Sequence, residues 1–212
     1  MSKIADLRLD YKLQSLDFQD VDKNPLRQFQ TWFDEALASE LREPNAMVIA
    51  TVKDGIPNAR VVLLKALDDK GFVFYTNFES AKGKELDENP HIALVFNWLE
   101  LERQVRIQGI VEKVSEEEAE KYFQSRPKGS QIGAWASPQS NVIQGRNILE
   151  TNQLDLEKKY ENENILPKPP HWGGYRVLPF AIEFWQGRSS RLHDRIRYQK
   201  IENEWSMERL AP

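Results

Sequence analysis

Apolar positions change their spacing several times along the chain. From Asn24 to Leu41, Phe29, Trp32, Phe33, Ala36 and Leu37 recur at helical steps, with Asn24 placed to cap the helix and Pro25 suited to its first turn. At Ala46 the period shortens to two. AMVIATV, ARVVLLKAL and GFVFYTN are β-branched and aromatic runs parted by Asp54-Gly55 and Asp68-Asp69-Lys70-Gly71, and they predict a three-strand meander. Ser80 can cap a short helix, SAKGKELDEN, that Asn89-Pro90 stops. HIALVFNWL and QVRIQGIVEKV predict two more strands, with Gly109 a candidate bulge. Ser115 and Glu118 form a capping-box pattern before a helix carrying Tyr122. A second helical region follows, and GRNILETNQLDLEKKYENE predicts a third helix. Beyond the stiff PKPP connector at 167–170, PFAIEFWQG and RLHDRIRYQKIE predict strands. Residues 1–20 hold no sustained period and predict a mobile arm, leaving residues 21–212 as one domain. The fold class expected is mainly β with peripheral helices (α+β), a closed or nearly closed antiparallel barrel.

Composition narrows the chemistry. The 212 residues include no cysteine, which excludes disulfides, thiol nucleophiles and thiolate metal sites. The three histidines, His91, His171 and His193, are far apart, so no metal site is expected. No apolar run approaches the roughly 20 residues of a membrane span, and the N-terminus lacks the apolar core of a secretory signal. A soluble, cytoplasmic protein is the expectation. A net charge of −4 speaks against nucleic acid or an anionic membrane as partner. Within that acidic chain, Arg188, Arg191, Arg195, Arg197 and Lys200 gather with His193 around the single acid Asp194. Such a cluster suits a small anionic ligand, or else surface ion pairing.

Five stretches could carry chemistry. In RVVLLK, alternation puts Arg60 and Lys65 on opposite sides of one strand, whose backbone could flank a flat ring while its ends hold anionic tails. A barrel strand with charged ends is the plainer reading of that stretch alone. SAKGKE sets Lys82 at a helix N-terminus, a common phosphate position but a weak signal. Tyr122, Arg126 and Ser130 are spaced four apart and could share a phosphate, although Pro127 interrupts the helix. Gln139-Ser140, after a proline, offers amide and hydroxyl contacts or is an ordinary turn. In IEFWQGRSSRLHDR, Trp185 can cover a flat ring, and a strand would align Arg191, His193 and Arg195 on one face. Three converging basic groups call for an anionic or electron-rich ligand. No GxGxxG, P-loop, HExxH or GxSxG motif is present, so side-chain cations must bind any phosphate.

At these residues the chain resembles the pyridoxine (pyridoxamine) 5′-phosphate oxidase family. IEFWQGRSSRLHDR is similar to its C-terminal signature and ERLAP to its chain end. RVVLLK, YTN-x-x-S-x-K, QVRIQG, Tyr122/Arg126/Ser130 and Gln139-Ser140 follow in the family's order, from about residue 20 to the C-terminus. The resemblance implies an FMN-binding split β-barrel forming a homodimer with two FMN molecules in clefts between subunits. It implies FMN against Arg60, Val61, Val62, Leu63, Leu64 and Lys65, then Tyr75, Thr76, Lys82, Gln104, Gln139, Ser140, Trp185 and Arg195. It implies the substrate's phosphate near Lys65, Tyr122, Arg126 and Ser130, with Arg191 and His193 as catalytic residues at its pyridine ring. The reaction implied is oxidation of pyridoxamine or pyridoxine 5′-phosphate to pyridoxal 5′-phosphate, with dioxygen reoxidising the flavin to give hydrogen peroxide. One position departs: where the family commonly has arginine before the lysine, this chain has Ala81, which costs an FMN phosphate one charge-assisted hydrogen bond. The competing readings are another split-barrel flavin reductase and a non-catalytic carrier of FMN or pyridoxal phosphate.

Overall fold

The computed structural model describes residue 4 and residues 6–7, 9–163 and 165–212, so part of the arm expected over 1–20 lies outside the described residues. Helix α1 spans Pro25–Ala38. The Asn24 side chain accepts from the amides of Leu26 and Arg27, as the capping residue should. Its apolar stripe is the plug of the barrel. Phe29 meets Phe72 edge-on at 4.9 Å and Phe96 at 4.8 Å, and Trp32 meets Phe184 at 5.1 Å. The helix stops three residues before the expected Leu41, and Leu37 stays exposed.

The strands are β1 (Ala46–Lys53), β2 (Ile56–Leu63), β3 (Ala66–Leu67), β4 (Phe72–Asn77), β5 (His91–Trp98), β6 (Arg103–Lys113), β7 (Trp172–Gln186), β8 (Asp194–Ile201) and β9 (Glu204–Arg209). The other helices are α2 (Ala81–Glu88), α3 (Glu116–Ser125), α4 (Lys128–Ala136) and α5 (Asn147–Lys159). All pairings are antiparallel, in the order β2-β1-β5-β6-β7-β4-β3, with β8 and β9 added at β7.

The three-strand meander does not form. Asp54 and Gly55, both at positive φ, make the β1–β2 hairpin, but β4 pairs with β7 and β3 rather than with β2. The run ARVVLLKAL bends at Leu64-Lys65 and divides between the two edges of the sheet. The Leu64 amide donates to Asn45 O beside β1, and the next amide, Lys65, donates to Val73 O on β4, each at 2.8 Å. Those two bonds are a seam. No ladder joins β2 to β4, so the barrel is nearly closed rather than closed.

Strand β7 is the ruler of the fold. It is 15 residues long, with β6 along one edge and β4 and β8 sharing the other end to end. Its register with β6 shifts between Gln108 and Gly109, opposite Pro179, where a missing amide is tolerated. The expected strand over 191–202 begins only at Asp194. Ser189–Arg191 form a 3-10 turn with Ser190 and Arg191 at positive φ, so Arg191 and His193 precede the strand and do not line one face with Arg195. No helix among the described residues is long and apolar enough to cross a membrane.

Candidate functional site

A cavity of about 650 Å³ opens where the seam, β4, α2, α3 and α4 meet. Arg60, Val61, Val62, Leu63 and Lys65 form one wall. Strict alternation would part Arg60 from Lys65; the bend at the seam breaks the alternation and turns both to the cavity. Leu64 points into the core, 6% exposed, and is not among the lining residues.

Tyr75, Thr76 and Lys82 form the floor. Ser80 caps α2 by accepting from the Gly83 amide, so the chain enters that helix with Lys82 in its first turn. Gly83 is required there, because a Cβ would lie 2.0 Å from Phe78 O. The Lys82 Nζ donates to Thr76 Oγ1 and Gln139 Oε1, each at 3.1 Å. Burial, then the neighbouring Arg60 charge, pushes its ammonium below the ordinary lysine value, while Glu85 opposes them. Ser140 is exposed at positive φ and lies outside the lining.

Tyr122, Arg126 and Ser130 form the far wall even though no single helix carries them. Helix α3 ends at Ser125, Arg126 is extended, and α4 restarts after Pro127. Tyr75 and Tyr122 stack at 4.0 Å, and Trp172 stacks on Tyr75 at 5.3 Å. Burial pushes the Tyr75 hydroxyl up to about 12 and raises Tyr122, so both remain donors at neutral pH. The Arg126 guanidinium lies over Trp172 at 4.8 Å, its pKa lowered by burial, and its buried Nη1 has no hydrogen-bond partner. The lining holds four cations, Arg60, Lys65, Lys82 and Arg126, and no carboxylate. Such a cavity is built for an anion.

The remaining expected residues form a second group. Gln104 lies opposite Trp185 in the β6–β7 ladder, and Arg195 lies opposite Trp185 in the β7–β8 ladder. Trp185 and His193 have ring centroids 4.6 Å apart. Tyr11, from the N-terminal arm, meets Trp185 edge-on at 5.9 Å. The Arg188 amide donates to His193 Nδ1 at 3.1 Å, which leaves Nε2 for a ligand. Arg195 Nε donates to Glu183 at 2.8 Å, which raises the arginine's pKa further, and Arg191 lines a cleft of about 540 Å³ with Tyr11 and His193.

The two groups stand at opposite ends of β7. Tyr75 faces Gly174, and Trp185 lies eleven residues further on. Eleven residues are roughly 35 Å of extended strand, too far for one ring to touch both groups in one chain. The cavity and the Trp185 group share no lining residue.

Trp172, Asn77, Ser137 and Tyr11 were not expected at either group. Trp172 stands opposite Asn77 at the start of β7, where Gly173-Gly174 hide the strand pattern. For Tyr11, the one available signal is an aromatic in an otherwise aperiodic arm.

Comparison with known proteins agrees with this architecture. Residues 33–159 match the family model described as pyridoxamine 5′-phosphate oxidase. Residues 172–212 match that described as the pyridoxine 5′-phosphate oxidase C-terminal dimerisation region, which supports a homodimer. The chain is 59% identical over 211 residues to the pyridoxine/pyridoxamine 5′-phosphate oxidase of Nostoc punctiforme, covering 99% of this chain and 98% of that one. It is 55% identical over 215 residues to the enzyme of the same name from Salinibacter ruber, covering all of both. Among solved structures, PhzG from Burkholderia lata, in complex with tetrahydrophenazine-1-carboxylic acid, superposes with a TM-score of 0.89 at 31% identity, over 96% of this chain and 100% of that one. An FMN-binding protein related to pyridoxamine 5′-phosphate oxidase, from Nostoc punctiforme, shares the fold with a TM-score of 0.70 at 17% identity, over 91% and 100%. With two family models spanning most of its length and full-length relatives above half identity, this split-barrel chain belongs to the pyridoxine/pyridoxamine 5′-phosphate oxidase family, whose members are oxidoreductases.

Proposed function

We propose that the protein is an FMN-dependent oxidase converting pyridoxamine 5′-phosphate and pyridoxine 5′-phosphate to pyridoxal 5′-phosphate, with dioxygen as acceptor and hydrogen peroxide as product. The observation that carries this reading is the carboxylate-free cavity with four cations and the unpartnered Arg126 Nη1. That donor set fits two phosphorylated ligands side by side. Arg60, Thr76, Lys82 and Gln139 are the groups to hold the FMN phosphate. Lys65, Tyr122, Arg126 and Ser130 are those to hold the substrate's phosphate. Gln104, Trp185, Arg191, His193 and Arg195 reach the ring from the second subunit, because β7 keeps them away from the cavity of their own chain.

Bound FMN would supply the acceptor for a hydride leaving the substrate's C4′ carbon as its alcohol or amine gives up a proton, water would release ammonia from the imine of the amine substrate, and dioxygen would carry the two electrons off as hydrogen peroxide. The protein's part is orientation. With both ends of the substrate held, Arg191 and the free Nε2 of His193 fix the ring's rotation and set C4′ toward the flavin.

The test is the visible spectrum of the purified protein, followed without oxygen as pyridoxamine 5′-phosphate is added. The reading expects a flavin band that bleaches as pyridoxal 5′-phosphate forms and returns when air is admitted. A flavin band that persists points to a reductase or a carrier and overturns it. Cofactor affinity has its own check at Ala81, the exposed first residue of α2. Lys84, three residues on, is likewise exposed and outside the cavity lining. Ala81→Arg is expected to tighten FMN binding about tenfold, one charge-assisted hydrogen bond, in a fluorescence titration.

A further inference from the structure

Behind the cation wall lies a carboxylate that lines no part of the cavity. Glu85, on α2 one turn beyond Lys82, is 6% exposed. Its Oε2 accepts from Thr51 Oγ1 and, at 2.9 Å, from Arg60 Nη2, and its Oε1 accepts from Asn58 Nδ2 at 3.0 Å. Arg60 Nη1 donates in turn to Thr51 Oγ1. The Arg60 guanidinium is therefore fixed by two neighbours, and Arg60 itself lines the cavity.

We propose that Glu85 is the positioning residue of the anion site: it aims Arg60 and supplies the countercharge that lets Arg60 and Lys82 stand side by side as cations. The proposal rests on the reading of this wall as the seat of the FMN phosphate.

The electrostatics run the same way. Burial works to raise the Glu85 carboxyl, but the bonds from Thr51, Asn58 and Arg60, together with the Arg60 charge, outweigh it and hold the group below its ordinary value. Glu85 is therefore a full negative charge at neutral pH. Lys82 faces Arg60 from β2 and Glu85 from its own helix, with Lys65 and Arg126 elsewhere on the cavity lining. Glu85 is the one acid among these. Its other basic neighbour, Lys53, is already paired with Glu88 at 2.7 Å. Without Glu85, the wall would set two like charges together in a half-buried place, and the lysine is the one able to release its proton.

The experiment uses Glu85→Gln, which keeps the shape and an acceptor but not the charge, beside Glu85→Asp, which keeps the charge. Lys82 is followed in the FMN-free protein by lysine side-chain NMR, its signal assigned with Lys82→Arg. FMN binding is measured in parallel from neutral to alkaline pH. In Glu85→Gln, Lys82 is expected to lose its proton at lower pH than in the wild type, and the alkaline fall in FMN affinity moves the same way. Glu85→Asp stays with the wild type. Glu85→Ala, which also frees Arg60, weakens FMN binding at neutral pH roughly tenfold. A Lys82 titration unmoved by Glu85→Gln, or moved equally by Glu85→Asp, overturns the proposal even if stability falls. A moved titration with an unmoved FMN profile supports the Glu85–Lys82 coupling and overturns the placement of the FMN phosphate on Lys82.

Discussion

Arg126→Ala and His193→Ala proteins, each nearly inactive alone, recover about a quarter of wild-type turnover when unfolded together and refolded as mixed dimers. The reason is the span of β7. Arg126 lines the cavity near Tyr75, at the Gly174 end of that strand, and His193 sits against Trp185 at the other. A working site then takes Arg126 from one protomer and His193 from its partner. Random pairing makes half of the dimers mixed, and each mixed dimer has one site carrying both substitutions and one carrying neither. Steady-state assay at low substrate reads the recovery, with native mass spectrometry to establish that mixed dimers formed. Mixed dimers without recovered turnover would place both residues in one protomer's site and sink the shared-site reading.

Discrimination between phosphorylated and free substrate collapses in Arg126→Ala. The buried, unpartnered Nη1 has no role in the fold that a hydrogen bond would reveal, and the guanidinium lies over the Trp172 ring, 4.8 Å from its centroid. A phosphate meeting it gains charge-assisted bonds that unphosphorylated pyridoxine cannot make. Wild-type kcat/KM is expected to favour pyridoxine 5′-phosphate over pyridoxine by roughly a thousandfold, and Arg126→Ala to remove about a hundredfold of that. Turnover of free pyridoxine stays where it was. Equal losses on both substrates would mean that Arg126 supports the fold or the flavin instead.

Much of this architecture is legible in the chain before any coordinates. The caps at Asn24 and Ser80, the alternation of β5 and the bulge at Gly109 are local matters, decided by residues within a few positions of one another. What stayed hidden was non-local. ARVVLLKAL reads as one strand because its side chains favour extension throughout; only the positions of β1 and β4 divide it at Leu64-Lys65. WGGYRVL does not read as strand because Gly173 and Gly174 carry no side chain to alternate. Those glycines are spaces for others: a Cβ at Gly173 would lie 2.5 Å from the Phe78 ring. Arg191 looked like a strand residue because Arg-x-His-x-Arg alternates, yet the positive φ values at Ser190 and Arg191 turn the backbone first. Most of the residues singled out from the sequence fall in the cavity or around Trp185, while Leu64 and Ser140 line neither. The division into two distant groups was not legible, since spacing along the sequence gives no length of strand between them.

The seam at Leu64-Lys65 also bears on how the protein breathes. Two successive amides tie this bend to the barrel's two edges, each at the end of a ladder: the first continues β1–β2 and the second β3–β4. Such a junction is where hydrogen exchange is fastest relative to the strands on either side. A ligand lying along Arg60 to Lys65 would reach the residues on both sides of it, so that occupancy slows the opening of this join.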